Sequence, residues 1–156
     1  MAKTKKPEGP LNLTMDDVAA YARTAVGEIG RAHGSNHFKK LVCLSNGGLP
    51  VAYFFAKLLG IRDISVISVS SYGEAKERGQ HVSVFFNGIV SDGGDVLIVD
   101  DLIETGASMR IAQSMFPNAK TATLLTKSYT KHPPDFKGGS TDKWVNFPWE
   151  LSLENK

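Results

Sequence analysis

The chain has 156 residues, enough for one compact domain around one hydrophobic core. An apolar fraction of 42% with a charged fraction of 22% excludes a disordered or low-complexity chain. Eighteen basic and sixteen acidic residues leave a formal charge of +2, too near balance to argue for a nucleic-acid partner.

No apolar run approaches the roughly 18–20 residues of a membrane span, and no signal-peptide core opens the chain. A cytoplasmic protein away from membranes is therefore expected. The single cysteine, Cys43, excludes an internal disulfide and sits in an apolar run, where it reads as a small buried hydrophobe.

Residues 1–12, with Lys3, Lys5 and Lys6, read as a flexible segment leading into a single domain over 13–156. Thr14 and Asp17 have capping-box spacing. Val18, Ala22, Ala25, Val26 and Ile29 follow at helical period, predicting an amphipathic helix to about His33. Leu41 to Leu44 reads as a buried strand, broken by Asn46-Gly47-Gly48. A helix with Pro50 in its first turn then ends at Gly60. Ile64 to Val69 is β-branched and predicts a strand. The polar stretch from Ser71 to Gln80 reads as a mobile loop, and His81 to Phe86 as the returning strand of a hairpin. Val96-Leu97-Ile98-Val99 has the continuous apolarity of a strand buried on both faces. After Thr105-Gly106-Ala107-Ser108 a helix runs to about Phe116-Pro117, and Thr121 to Thr126 is a further strand. The remainder, from about residue 128, reads as an irregular C-terminal hood. Alternating strands and helices imply an α/β fold with a mostly parallel central sheet flanked by helices.

The chemistry concentrates in residues 96–108. A buried strand delivers Asp100 and Asp101 to its carboxyl end, where open α/β sheets bind ligands. A helix begins a few residues later, and its free amides and positive dipole end suit a phosphate. Thr105 and Ser108 add hydroxyl donors, and Gly106 lets the backbone approach closely. Two adjacent carboxylates can accept from the vicinal hydroxyls of a ribose, directly or through Mg²⁺. Phosphate at one end and hydroxyls at the other describe a ribose 5-phosphate. Ser45-Asn46-Gly47-Gly48-Leu49-Pro50 is a second strand-to-helix turn, with glycines whose amides can cradle an anion. His33, His37, His81 and His132 show no metal or triad spacing.

The 96–108 run resembles the motif with which type I phosphoribosyltransferases bind phosphoribosyl pyrophosphate (PRPP). The resemblance runs in order over about residues 14–152. The Gly-Gly-Leu loop, Leu-Gly-Ile-Arg at 59–62 and the Trp-Val-x-x-Pro-Trp-Glu ending are most similar to bacterial xanthine-guanine phosphoribosyltransferases. It implies a type I phosphoribosyltransferase fold and transfer of the phosphoribosyl group to a 6-oxopurine, with Mg²⁺ as cofactor. A homodimer or homotetramer is also implied. Asp100, Asp101 and Thr105 to Ser108 would bind PRPP, with Asp100 and Asp101 also serving the metal. Asn46, Gly47 and Gly48 would meet the pyrophosphate, and Ser71 and Tyr72 would open a closing loop that carries Lys76 and Arg78. Glu104 would handle a proton on the purine. Lys127, Trp144 and Val145 would bind the base, through the 6-oxo group, a stacking face and the backbone. Two positions depart from the pattern: Asn46 stands where a basic residue is common, and Glu104 where purine members usually carry aspartate. An orotate or other pyrimidine phosphoribosyltransferase, and a PRPP-sensing regulator without catalysis, remain alternatives.

Overall fold

The computed structural model describes residues 9–72, 81–88 and 92–150. In chain order the elements are β1 (Leu11–Asn12), α1 (Met15–His33), β2 (Lys40–Ser45), α2 (Gly48–Leu59), β3 (Asp63–Tyr72), β4 (His81–Asn87), β5 (Val96–Ile103), α3 (Ala107–Met115), β6 (Lys120–Thr126), β7 (Phe136–Ser140) and β8 (Val145–Asn146).

Six strands form one sheet in the order β4-β3-β2-β5-β6-β7. All neighbours are parallel except β4, which returns antiparallel to β3 as the hairpin reading expects. The chain runs outward from β2 through β3 and β4, then re-enters at β5 on the other side of β2. That reversal is a topological switch point, and such sheets hold ligands at the carboxyl ends of the two strands flanking it. The loops after β2 and β5, with the first residues of α2 and α3, carry the Asn46-Gly47-Gly48 turn and Glu104 to Ser108.

Strand alternation sorts the core into two layers. Leu97 and Val99 of β5 pack with Val18, Ala22, Ala25 and Ile29 of α1 and with Val51 and Phe55 of α2. Val96 and Ile98 pack on the opposite face, with Met109 and Ala112 of α3 and with Phe116. Both faces are covered, which is why the β5 run is apolar throughout. α1 starts as its sequence dictates. The Asp17 amide donates to Thr14 Oγ1 at 3.1 Å, and the Thr14 amide donates back to Asp17 Oδ2 at 2.8 Å.

Four readings of the sequence are corrected here. Leu11 and Asn12, placed in the flexible lead-in, form β1 and pair in parallel with Val145 and Asn146 of β8. The Leu11 amide donates to the Trp144 carbonyl at 2.7 Å, and Asn146 Nδ2 donates to Asn12 Oδ1 at 2.8 Å. The C-terminal segment is also not irregular throughout, because β7 extends the main sheet at the β6 edge. The hood is thereby reduced to the two-stranded β1–β8 pair and the segments around it. Further, β5 continues through the acidic pair to Ile103, because Leu102 and Ile103 pair with Leu125 and Thr126. Of the loop expected over Ser71 to Gln80, residues 73–80, with Lys76 and Arg78, lie outside the described residues, and its first two residues, Ser71 and Tyr72, belong to the end of β3 instead. Among the described residues no helix is long and apolar enough to cross a membrane.

Candidate active site

The acidic pair inherits the alternation of β5. Asp101 continues the row of Leu97 and Val99, towards the start of α2. Its carboxylate fills the space over Gly47, where a β-carbon would stand 2.6 Å from Asp101 Cγ. Asp100 continues the row of Val96 and Ile98, and lines a cavity of about 150 Å³ at the start of α3. One oxygen of each carboxylate is tied to its own strand. The Asp101 amide donates to Asp100 Oδ1 at 2.9 Å, and the Leu102 amide to Asp101 Oδ1 at 2.6 Å. Burial drives the Asp100 carboxyl up to about 8, and the neighbouring Asp101 charge adds to that. Burial likewise raises Asp101. No cationic side chain offsets either group among the described residues.

The cavity at α3 is lined by Asp100, Leu102, Ile103 and the whole run from Glu104 to Met109. Gly106 caps the helix with φ +86°, a left-handed conformation that favours glycine. A β-carbon there would also stand 2.7 Å from His132 Cβ, so the turn closes only without one. Gly106 supplies no side-chain cap to α3; among the described residues the Ala107 amide donates to Thr105 Oγ1 at 3.3 Å, which leaves the Ser108 and Met109 amides of the first turn available to an anion. Thr105, Gly106, Ala107 and Ser108 therefore meet around one phosphate-sized space.

A second cavity, of about 580 Å³, is lined by Ser45, Asn46, Gly47, Leu49, Pro50, Asp100, Asp101, Trp149 and Glu150. Asn46 and Gly47 lie where the sequence puts them. Gly48 does not line this space; it is buried, with Val99 O close behind it. The Ser45–Asn46 peptide is cis.

A third cavity, of about 220 Å³, is lined by Asp101, Leu102, Glu104, Lys127, Trp144, Val145, Phe147 and Glu150. It brings together the three residues that the sequence assigns to base binding, Lys127, Trp144 and Val145, and the catalytic candidate Glu104. Lys127 is buried, and its Nζ donates to the Lys143 carbonyl. That bond uses one of three ammonium donors. Trp144 is 73% exposed and its Nε1 donates to Asn146 Oδ1 at 2.9 Å, so the indole is an oriented surface plate. Trp149 is half-buried against the core and stacks on Phe147 at 4.9 Å, while also lining the second cavity.

The three cavities share walls: Asp100 joins the first to the second, Asp101 the second to the third, and Glu104 the first to the third. Sequence reasoning missed Glu150, which ends the Trp-Val-x-x-Pro-Trp-Glu run and lines two of them. It also missed Tyr129, whose hydroxyl donates to Glu104 Oε1 at 3.0 Å. The Ser128 amide and hydroxyl both donate to Asp142, at 2.9 and 2.6 Å, a latch that no local spacing announces.

A mostly parallel sheet whose switch point sets an acidic pair between two open helix starts is the architecture of type I phosphoribosyltransferases. Residues 14–156 match the phosphoribosyl transferase domain, and the chain belongs to that family. Its curated relatives include the xanthine-guanine phosphoribosyltransferase of Ruegeria sp. (strain TM1040), 32% identical over 134 residues that cover 80% of this chain and 76% of the relative. The enzyme of the same name from Idiomarina loihiensis is 31% identical, covering 76% and 75%. Among solved structures, a purine phosphoribosyltransferase from Pyrococcus horikoshii Ot3 superposes with a TM-score of 0.77 at 27% identity, covering 92% of this chain and 95% of that one.

Proposed function

We propose that the chain is a purine-salvage phosphoribosyltransferase that moves the 5-phosphoribosyl group of PRPP onto a 6-oxopurine (guanine, xanthine or hypoxanthine). The products are the nucleoside monophosphate and pyrophosphate. The observation that carries this reading is the third cavity, where Glu104, Lys127, Trp144 and Val145 converge beside the acidic pair. The curated relatives, named for xanthine and guanine, support it.

In this reading the 5-phosphate rests on Thr105 to Ser108 and the first amides of α3. Asp100 and Asp101 accept from the ribose hydroxyls, and Asn46 and Gly47 face the pyrophosphate with backbone and amide groups. Trp144 offers a flat apolar face to the base. Lys127 donates to the 6-oxo oxygen, and Val145 contributes its backbone. The bond from the anomeric carbon to pyrophosphate breaks, and pyrophosphate keeps the electron pair. A purine ring nitrogen forms the new bond to that carbon, and Glu104 takes the proton the nitrogen sheds. Lys127 disfavours adenine, because an ammonium cannot accept from an amino group.

The donor set fits Mg²⁺. Asp100 and Asp101 are hard oxygen donors, and their burial without a cationic partner raises both, a cost that a divalent cation relieves. Among the described residues no group of three or more His, Cys, Asp or Glu side chains could hold a metal, so substrate oxygens and water would complete the shell. Bound there, Mg²⁺ supplies Lewis-acid stabilisation of developing charge on the pyrophosphate.

The test is a panel of guanine, xanthine, hypoxanthine, adenine and orotate with PRPP and Mg²⁺, scored by pyrophosphate release. Turnover confined to 6-oxopurines is expected, and faster use of adenine or orotate overturns the assignment. Sedimentation of the purified chain would distinguish the homodimer or homotetramer that belongs to the same reading from a monomer.

A further inference from the structure

Glu104 stands directly after β5 and borders three spaces: the base cavity, the phosphate cavity and a third of about 430 Å³ lined by Thr105, Arg110, Tyr129, Lys131 and His132. A glutamate has one more rotatable bond than an aspartate, so in this setting its carboxylate can be spent in any of the three. Something has to choose among them.

Among the described residues a single side-chain hydrogen bond reaches that carboxylate: the Tyr129 hydroxyl donates to Glu104 Oε1 at 3.0 Å. Tyr129 is itself held from behind. Its neighbour Ser128 is clamped to Asp142 through both amide and hydroxyl, and Lys127, one residue further back, is anchored to the Lys143 carbonyl. The Thr130 amide closes the turn onto the Lys127 carbonyl at 3.4 Å. The hood segment 142–143 therefore fixes the turn that presents the phenol. The Glu104 carboxylate also keeps the phenol protonated, because accepting its hydrogen bond raises Tyr129 above its ordinary range. The bond thus runs in one sense, with tyrosine donating and glutamate accepting.

We propose that Tyr129 is a positioning residue for Glu104, holding Oε1 at the cavity junction so that Oε2 is left to take the proton from the purine. This rests on the phosphoribosyl-transfer reading of Glu104. It accounts for the departure at position 104, since the extra methylene of glutamate extends the carboxylate towards a phenol in the segment after β6. An aspartate there is one methylene shorter and is expected to stop short of Tyr129.

The experiment is a set of mutant cycles read by steady-state kinetics with PRPP, Mg²⁺ and guanine. Tyr129→Phe is expected to lower kcat by about 10- to 100-fold, the scale for misplacing a reacting group, and to leave the KM for PRPP unchanged. Its melting temperature should match wild type, because the side chain is 59% exposed and only a hydroxyl is removed. In the Glu104→Asp and Glu104→Ala backgrounds, adding Tyr129→Phe should change kcat less than about two-fold, because coupled residues are not additive. If Tyr129→Phe is silent in the wild type, or costs the same factor in all three backgrounds, the hydroxyl does not act through Glu104 and the proposal is wrong. If Glu104→Ala alone turns over at the wild-type rate, it is the role of Glu104 that fails.

Discussion

The Asp101 carboxylate lies in the space that a side chain on Gly47 would need, with Asp101 Cγ 2.6 Å from the position of a β-carbon. Gly47 has φ −60°, so alanine meets no backbone strain there, and the clash alone decides the outcome. Asp101 cannot yield freely, because its Oδ1 accepts from the Leu102 amide at 2.6 Å. Gly47→Ala is expected to fold and to lose at least about 10-fold in kcat/KM for PRPP, the scale for a misplaced carboxylate. A variant with wild-type kinetics would show that this approach has no functional weight.

Trp144 carries a different expectation because it is so open. At 73% exposure it supports little of the fold, and Trp144→Ala should alter stability by no more than about 0.5 kcal/mol. Losing a stacking face costs about 1–3 kcal/mol per base, roughly 5- to 150-fold in the KM for the purine. The KM for PRPP should not move. Calorimetry and two KM measurements decide it, and a large drop in melting temperature would recast Trp144 as a core residue.

The site reads more easily from sequence than the fold does, and the reason is locality. Asp100, Asp101 and Thr105 to Ser108 fall within one short run, so their chemistry and order survive without knowledge of any partner. β7 is the opposite case. Phe-Lys-Gly-Gly-Ser has neither alternation nor β-branched residues, and becomes a strand because the β6 edge is open to it and Tyr21 of α1 packs against it. β1 is two residues long, and its Asn12 finds Asn146 across 134 residues. The Tyr129–Glu104 bond joins residues 25 apart with no common motif. Glu150 directly follows Trp149 in the chain, but its place between two cavities needs the folded hood.

Cys43 gives a prediction in pH. It is buried in β2, and burial pushes its thiol up to about 11, with the Asp100 charge adding to the rise. The folded value lies above the unfolded one of 9.0, so the folded state holds the proton longer. The thiol therefore leaves stability unchanged below about pH 9, and stability falls as pH climbs from there through about 11. Since thiolate is the reactive form, at pH 8 the native chain should react with a thiol reagent at least about 100-fold more slowly than the chain in urea. Equal rates would mean that the β2 face opens readily, against its place in the core.

Thr123, in the middle of β6, is fully buried, and its hydroxyl has no hydrogen-bond partner among the described residues. An unmet buried hydroxyl costs about 1–3 kcal/mol. Valine has nearly the same shape and the same β-branching, so Thr123→Val should stabilise the protein by about 1 kcal/mol, roughly 2–4 °C in melting temperature. Kinetics give this prediction its second edge. Thr123 stands opposite Asp100 in the register of β5 and β6, one strand away from the acidic pair. If the hydroxyl is merely stranded, the variant melts higher and turns over normally. If turnover falls while the melting temperature stays put, the hydroxyl serves Asp100 when substrate is bound, and the cost it imposes on the empty fold is the cost of a working site.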